Sequence, residues 1–178
     1  MYSSRKQLTL FIAEHNEILE KIRAQFNPIQ YNLIAAHLTL CREDEIEPIE
    51  KIIQNIKLIK EAEPLRLEFD PPERFDDGKG VFIPAKRSDD GFSKLRKTIL
   101  NGLTEHPREH LPHITLMHPR NSTCTDAIWG HIEKLGLPTE LFFDTISLVE
   151  QHNGGRWITI EQFSILAKAS PMSNPIGL

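Results

Sequence analysis

Two stretches decide how this chain folds: residues 33–40, LIAAHLTL, and residues 111–117, LPHITLM. Each is an apolar run rich in strand formers, and each carries the same four-residue pattern. His37-Leu38-Thr39-Leu40 is one copy and His113-Ile114-Thr115-Leu116 the other. From the composition of this chain, His-x-Thr-Leu is expected about 0.05 times, and two copies arise by chance in roughly one chain in 800. In a strand, residues i and i+2 share a face about 6.5 to 7 Å apart. His37 and Thr39 therefore point one way while Leu38 and Leu40 pack behind them. His113 and Thr115 do the same, with Ile114 and Leu116 behind. Two matching copies, each among its own strands and helices, predict two related lobes whose imidazoles and hydroxyls converge on one cleft.

Working outward, short apolar strands alternate with amphipathic helices. Residues 8–13 (LTLFIA) read as a strand. Ile18, Leu19, Ile22 and Phe26 recur at helical spacing over about 14–26, and Pro28 is expected to end that helix. Residues 33–40 then read as a strand and 43–59 as a helix, with Ile46, Ile49, Ile53 and Ile56 on one face and acids in its first turn. Strands are expected at 65–69, 80–85, 111–117, 142–150 and 156–163, and helices at 92–103 and 125–135. Gln-His-Asn-Gly-Gly at 151–155 is a hairpin turn. The pattern predicts an α+β protein, one bilobal domain over 1–166 with a flexible tail over 167–178.

Composition narrows the function classes. At 178 residues, 39% hydrophobic and 26% charged, the chain has material for one core and is no disordered tail. The apolar run 8–13 is too short to span a bilayer and has no small-residue cleavage site behind it, so no membrane partner is expected. Cys41 and Cys124 do not make a disulfide scaffold, which predicts a reducing cytoplasm. With 21 basic and 25 acidic residues, a net charge of −4 argues against coating duplex DNA. A local basic cleft for one phosphate or an RNA end stays open.

Taken singly, each motif histidine reads as a structural residue and each threonine as a strand former. Together they suit phosphodiester chemistry without a metal. One neutral imidazole takes a proton from the attacking water or hydroxyl, and one imidazolium protonates the leaving oxygen. An unperturbed pKa of about 6.5 lets both forms exist near neutrality. The threonine hydroxyls donate to phosphate oxygens where charge builds. Metal ligation is the competing use. His106, His110, His113 and His118 cluster in sequence, and Cys41 shares the strand parity of His37. No spacing matches a structural zinc site, HExxH is absent, and odd spacing places His110 and His118 on the face opposite His113. No metal or cofactor is expected; neither a P-loop nor a dinucleotide fingerprint occurs. The basic stretch from Arg74 to Arg108 reads as a solvated face. Phe11, Tyr31, Phe82 and Trp157 are candidate base-stacking rings, with none singled out.

The paired motifs and their strand context resemble the two-histidine (2H) phosphoesterase superfamily, and within it the RNA 2′,3′-cyclic phosphodiesterase or 2′–5′ RNA ligase family. The resemblance runs from LTLFIA through both motifs to FDTISLVEQ and RWITIEQFSI. It implies a bilobal fold with two pseudo-symmetric, mainly antiparallel sheets around a central cleft and helices outside. It implies His37 and His113 as the acid–base pair, and Thr39 and Thr115 as phosphate holders. The implied reaction opens a 2′,3′-cyclic phosphate, on an RNA 3′ end or a nucleotide, to a 2′-phosphomonoester; the reverse joins RNA through 2′–5′ linkages. Many relatives carry Arg two places after the second motif, where this chain has His118 and then Arg120; the first motif runs into Arg42. Arg42 and Arg120 are thus candidate phosphate ligands. A monomer is expected. Other uses of the same site are another cyclic phosphodiester, such as one on ADP-ribose, and RNA-end binding without turnover.

Overall fold

The computed structural model describes residues 4–13, 16–87, 90–105 and 107–167. In chain order the first half runs β1 (Ser4–Phe11), α1 (Asn16–Phe26), α2 (Pro28–Leu33), β2 (His37–Cys41), α3 (Ile49–Lys57) and β3 (Leu65–Glu68). There follow β4 (Glu73–Arg74), β5 (Val81–Pro84), α4 (Gly91–Ile99), β6 (His113–Met117), α5 (Asp126–Ile132), β7 (Glu140–Phe143), β8 (Thr145–His152) and β9 (Trp157–Ser164).

Prolines account for two departures from the expected elements. Pro28 ends α1 but also opens α2, because its fixed φ and missing N–H suit the first turn of a helix. Strand β2 consequently begins only at His37. Pro48 holds Glu47 out of helical geometry, so the helix expected from residue 43 divides into a 3₁₀ turn at Glu43–Glu45 and α3 from Ile49. Residues 142–150 also divide: β7 and β8 part at Asp144 and join different sheets. The β8–β9 hairpin turns through Asn153 and Gly154, both at positive φ, as a two-residue primed turn demands. The tail expected over 167–178 lies outside the described residues except for Ala167, whose N–H donates to the Glu61 carbonyl.

Two antiparallel sheets carry the motifs. The first has the order β2-β1-β8-β9. In the second half, β4-β5-β6 and β3-β7 are joined by an antiparallel bridge between Phe69 and Ala85. Both motif strands are therefore edge strands, and β2 and β6 lie against each other where the halves meet. Their registers coincide. Thr9 faces Thr39, Leu10 faces Leu38 and Phe11 faces His37; Phe82 faces Thr115, Ile83 faces Ile114 and Pro84 faces His113. The register then slips by one residue in both pairs, so that Leu8 faces Cys41 and Val81 faces Met117. This matched bulge turns Cys41 and Met117 into the core, against simple alternation. Cys41 does not share the cleft face with His37.

One core holds the halves together. Leu38, Leu40, Ile114 and Leu116, the residues alternating with the motif side chains, are all fully buried, each contributing about 1.5–3 kcal/mol of transfer free energy. The helices cross over: α1 follows β1 yet packs on β6, while α4 follows β5 yet packs on β2. Asn27, at the end of α1, donates to the Leu116 carbonyl at 3.5 Å, and Arg96 of α4 donates to the Leu40 carbonyl. Each bulge carbonyl thus finds its donor in the opposite half of the chain.

Candidate functional site

Each motif histidine is anchored in the same way. The Nδ1–H of His37 donates to the Ala35 carbonyl at 2.7 Å, and that of His113 to the Leu111 carbonyl at 3.0 Å. A carbonyl only accepts, so Nδ1 carries the hydrogen and Nε2 of the neutral ring is left with its lone pair. Both rings are half-buried, recessed between strands with part of their surface open, and Thr39 and Thr115 are half-buried beside them. The His37 ring meets Phe11 edge-on at 6.1 Å; the His113 ring meets Phe82 at 5.5 Å and Phe75 at 6.1 Å.

The chain leading into His37 is held from α1. Glu20 accepts the Ala36 N–H at 2.5 Å, and the buried Arg23, paired with Glu20 at 2.6 Å, donates to the Ile34 carbonyl at 2.5 Å. These bonds bracket Ala35, whose carbonyl orients the imidazole. The strand beyond Thr39 is held from α4. Arg96, 3% exposed, pairs with Glu45 at 2.7 Å and approaches the Cys41 thiol at 3.7 Å. Arg96 is thus no part of a solvated basic face. Arg108, also in that basic stretch, joins Asp44 at 2.8 Å and Glu45 at 3.3 Å.

His110 corrects a second expectation. It precedes β6, so strand parity does not govern it. Its ring lies 6.4 Å from that of His113, stacks on Phe92 at 6.0 Å, and donates from Nε2 to the Thr39 carbonyl at 2.9 Å. His106 lies outside the described residues. Among those described, no three His, Cys, Asp or Glu side chains gather as a metal site requires.

The electrostatics favour neutral imidazoles. Burial lowers the His37 pKa to about 4, with the Arg23 guanidinium and His113 adding to the effect. Burial lowers His113, helped by Arg42, and lowers His118, helped by Arg120 and His113. His118 and Arg42 therefore stand within electrostatic reach of His113, with Arg120 next to His118. The guanidinium groups of Arg42 and Arg120 form no ion pair among the described residues. Trp157 lies elsewhere, beneath Arg5 at 5.4 Å, and Tyr31 is exposed on α2. A groove of about 1080 Å³ between α1 and residues 135–142 contains none of the motif residues.

Comparison with known proteins decides the family. The sequence profile described as the 2′-5′ RNA ligase superfamily matches residues 12–155, a span that includes both motifs. The chain belongs to the 2′–5′ RNA ligase superfamily. Solved structures share its fold at low identity. LigT of E. coli, in its apo form, is 18% identical with a TM-score of 0.63, covering 93% of this chain and 99% of that one. The same protein complexed with phosphate gives 0.60 over 93% and 98%. A structure described as a phosphoesterase is 16% identical at 0.57, over 93% and 100%. No curated protein sequence matches.

In this superfamily member, two imidazoles whose Nδ1 atoms are bonded to backbone carbonyls, with no Nε2 partner among the described residues, stand beside two hydroxyls on facing strand edges. Such an arrangement can take a proton on one side of a phosphorus atom and return one on the other. Sequence reading missed Glu20, Arg23, Arg96 and His110 as supports. Only the full burial of two arginines would have flagged the first three, and burial of an arginine is not written in local pattern.

Proposed function

We propose that this protein is a metal-independent phosphoesterase that opens 2′,3′-cyclic phosphates, on an RNA 3′ end or a nucleotide, to 2′-phosphomonoesters, with 2′–5′ joining as the reverse reaction. The observation that carries the reading is the duplicated anchor: each motif histidine spends Nδ1–H on the carbonyl two residues before it and keeps Nε2 for the substrate. Water gives its proton to one Nε2 as its oxygen bonds phosphorus; the other imidazole, protonated, gives a proton to the departing ribose oxygen. The Thr39 and Thr115 hydroxyls donate to the non-bridging oxygens, where negative charge grows in the transition state. Arg42 and Arg120, whose guanidinium groups form no ion pair among the described residues, supply positive charge toward the same phosphate or its neighbour. LigT of E. coli has been seen with phosphate and with 3′-AMP, which supports a nucleotide substrate here. The two buried, free cysteines fit a reducing cytoplasm, and we infer a single-domain monomer.

The test is hydrolysis of adenosine 2′,3′-cyclic phosphate in excess EDTA, with product position read by phosphorus NMR. Turnover survives the chelator, and His37→Ala or His113→Ala each lowers kcat by about 10²–10⁴, the range for general acid–base groups. A His37→Ala protein working at the parent rate removes the reading.

A further inference from the structure

Both motif strands are sheet edges, and no backbone ladder joins β2 to β6 among the described residues. Their relative placement therefore rests on packing and on side-chain bonds that cross between the halves. On one flank such a bond runs from His110 to the Thr39 carbonyl. On the other flank the crossing bonds start from the corner where α1 meets α2. Asn27 makes that corner. Its N–H donates to the Arg23 carbonyl at 2.8 Å, closing α1, and its carbonyl accepts from the Tyr31 N–H at 3.0 Å, opening α2. The backbone of Asn27 is spent in the two helices, and its fully buried side chain reaches the Leu116 carbonyl at 3.5 Å. Gln30, half-buried one turn on, accepts from the Asn121 amide at 3.3 Å. Asn121 in turn donates its N–H to the His118 carbonyl at 2.9 Å. The same corner grips the approach to the first motif. Arg23 donates from one guanidinium nitrogen to the Ile34 carbonyl at 2.5 Å and to the Gln30 carbonyl at 3.4 Å. Arg23, Asn27 and Gln30 thus join the backbone before His37 to the backbone after Thr115.

Stability alone does not account for this chemistry. Arg23 Nε and Asn27 Oδ1 are buried with no partner among the described residues. Burying an arginine or a half-satisfied amide costs free energy that an apolar side chain at the same place does not. The bonds to Gln30, Leu116 and from Asn121 are long, between 3.3 and 3.5 Å, so they orient segments more than they hold them. Building on the function proposed above, we propose that Arg23, Asn27 and Gln30 are positioning residues: the α1–α2 corner sets the span between the two motifs, and hence between the imidazoles that must reach one phosphorus atom. None of the three touches substrate. They act through the backbone of residues 34–36 and 116–118, which flanks the motif side chains. A displacement of about 1 Å between groups that must converge on one atom costs up to about a hundredfold in rate.

Steady-state kinetics on adenosine 2′,3′-cyclic phosphate, beside urea titrations, test it. Asn27→Leu, which keeps the shape and loses the amide, lowers kcat about tenfold with KM within about twofold, and Gln30→Ala lowers kcat about threefold. Because both act on one span, the double variant loses about tenfold and not the product of the two. A parent kcat in Asn27→Leu overturns the proposal; should that buried variant not fold, a parent kcat in Gln30→Ala does so. Losses confined to KM or to the urea midpoint place the residues in the fold alone and overturn it too. So does a double variant whose loss is the product of the single ones. Residual dipolar couplings test the corner apart from the reaction. In the parent protein the β2 and β6 amides fit one alignment tensor; in Asn27→Leu, or in Gln30→Ala if the first does not fold, they need two. If the parent turns over no cyclic phosphate, the proposed function fails and the couplings alone decide the corner. A common fit in the variant removes it.

Discussion

His110 donates its Nε2 hydrogen to the backbone carbonyl of Thr39 at 2.9 Å, tying the loop that enters one motif to the strand that carries the other. The bond requires only a neutral ring, and burial with the nearby Arg96 lowers the His110 pKa to about 4, so it is intact at neutral pH. It is the direct polar link by which the approach to His113 registers against Thr39.

Replacing His110 by Phe keeps the stack on Phe92 and leaves the Thr39 carbonyl unpaired. A loss of about 1 kcal/mol of stability is expected for a part-buried group left unsatisfied. Because the two motifs lose register, kcat falls about tenfold with a smaller change in KM, displaced geometry near the reacting atoms costing rate more than binding. His110→Gln, which restores an N–H donor, recovers most of the rate. Steady-state kinetics beside urea titrations separate the two effects, and a parent kcat in His110→Phe refutes the link.

The pH dependence of kcat/KM reports the free protein. Its rising limb follows the imidazole that must be neutral and its falling limb the one that must be protonated. With His37 lowered to about 4 and His113 also lowered, the bell lies on the acid side of the unperturbed pKa of about 6.5. Bound phosphate adds negative charge and raises both groups, so the bell for kcat is displaced to higher pH. Coincident profiles for the two parameters contradict this.

Stability should fall on mild acidification. His37 and His110 have folded pKa values of about 4, below the unfolded value of about 6.5. Between those limits the unfolded chain binds more protons, so their contribution is complete above 6.5 and is lost as pH falls toward 4. Urea midpoints measured from pH 7.5 to 4 should decline in this window, less steeply in His110→Phe. A flat curve counts against buried neutral histidines.

Glu45 is the counter-charge of a buried arginine. Its carboxyl is held at about 2, the burial that would raise it being outweighed by Arg96, the Arg42 N–H and Arg108. Glu45→Gln leaves Arg96 without its partner and costs about 3–5 kcal/mol. Arg96→Met removes the charge together with its need for a partner and costs less, apart from the Leu40 carbonyl it also serves. Equal destabilisation by the two variants, read by urea titration, speaks against the ion pair as the source.

Much of the fold was legible because its signals are local. Alternation around Leu38 and Ile114 identified the motif strands and the face each histidine takes, and Asn153-Gly154 marked the last hairpin. Pro28 was read as the end of α1, which it is, but its opening of α2 and the break at Pro48 were missed, since proline both ends and opens helices. Cys41 was assigned the face of His37 because parity carries no trace of a bulge. Arg96 and His110 were read as surface or opposite-face residues because their partners, Glu45 and Thr39, stand far away in the chain.

By itself the sequence determined which groups the protein has for chemistry, and that both copies occupy equivalent positions on strands, because strand geometry repeats every two residues. Tertiary structure alone decided that the copies meet at two facing sheet edges, that their imidazoles lose protons more readily than free histidine, and that aromatic rings crowd one of them. Those properties depend on burial and on contacts between distant segments, which folding creates and no stretch of chain contains.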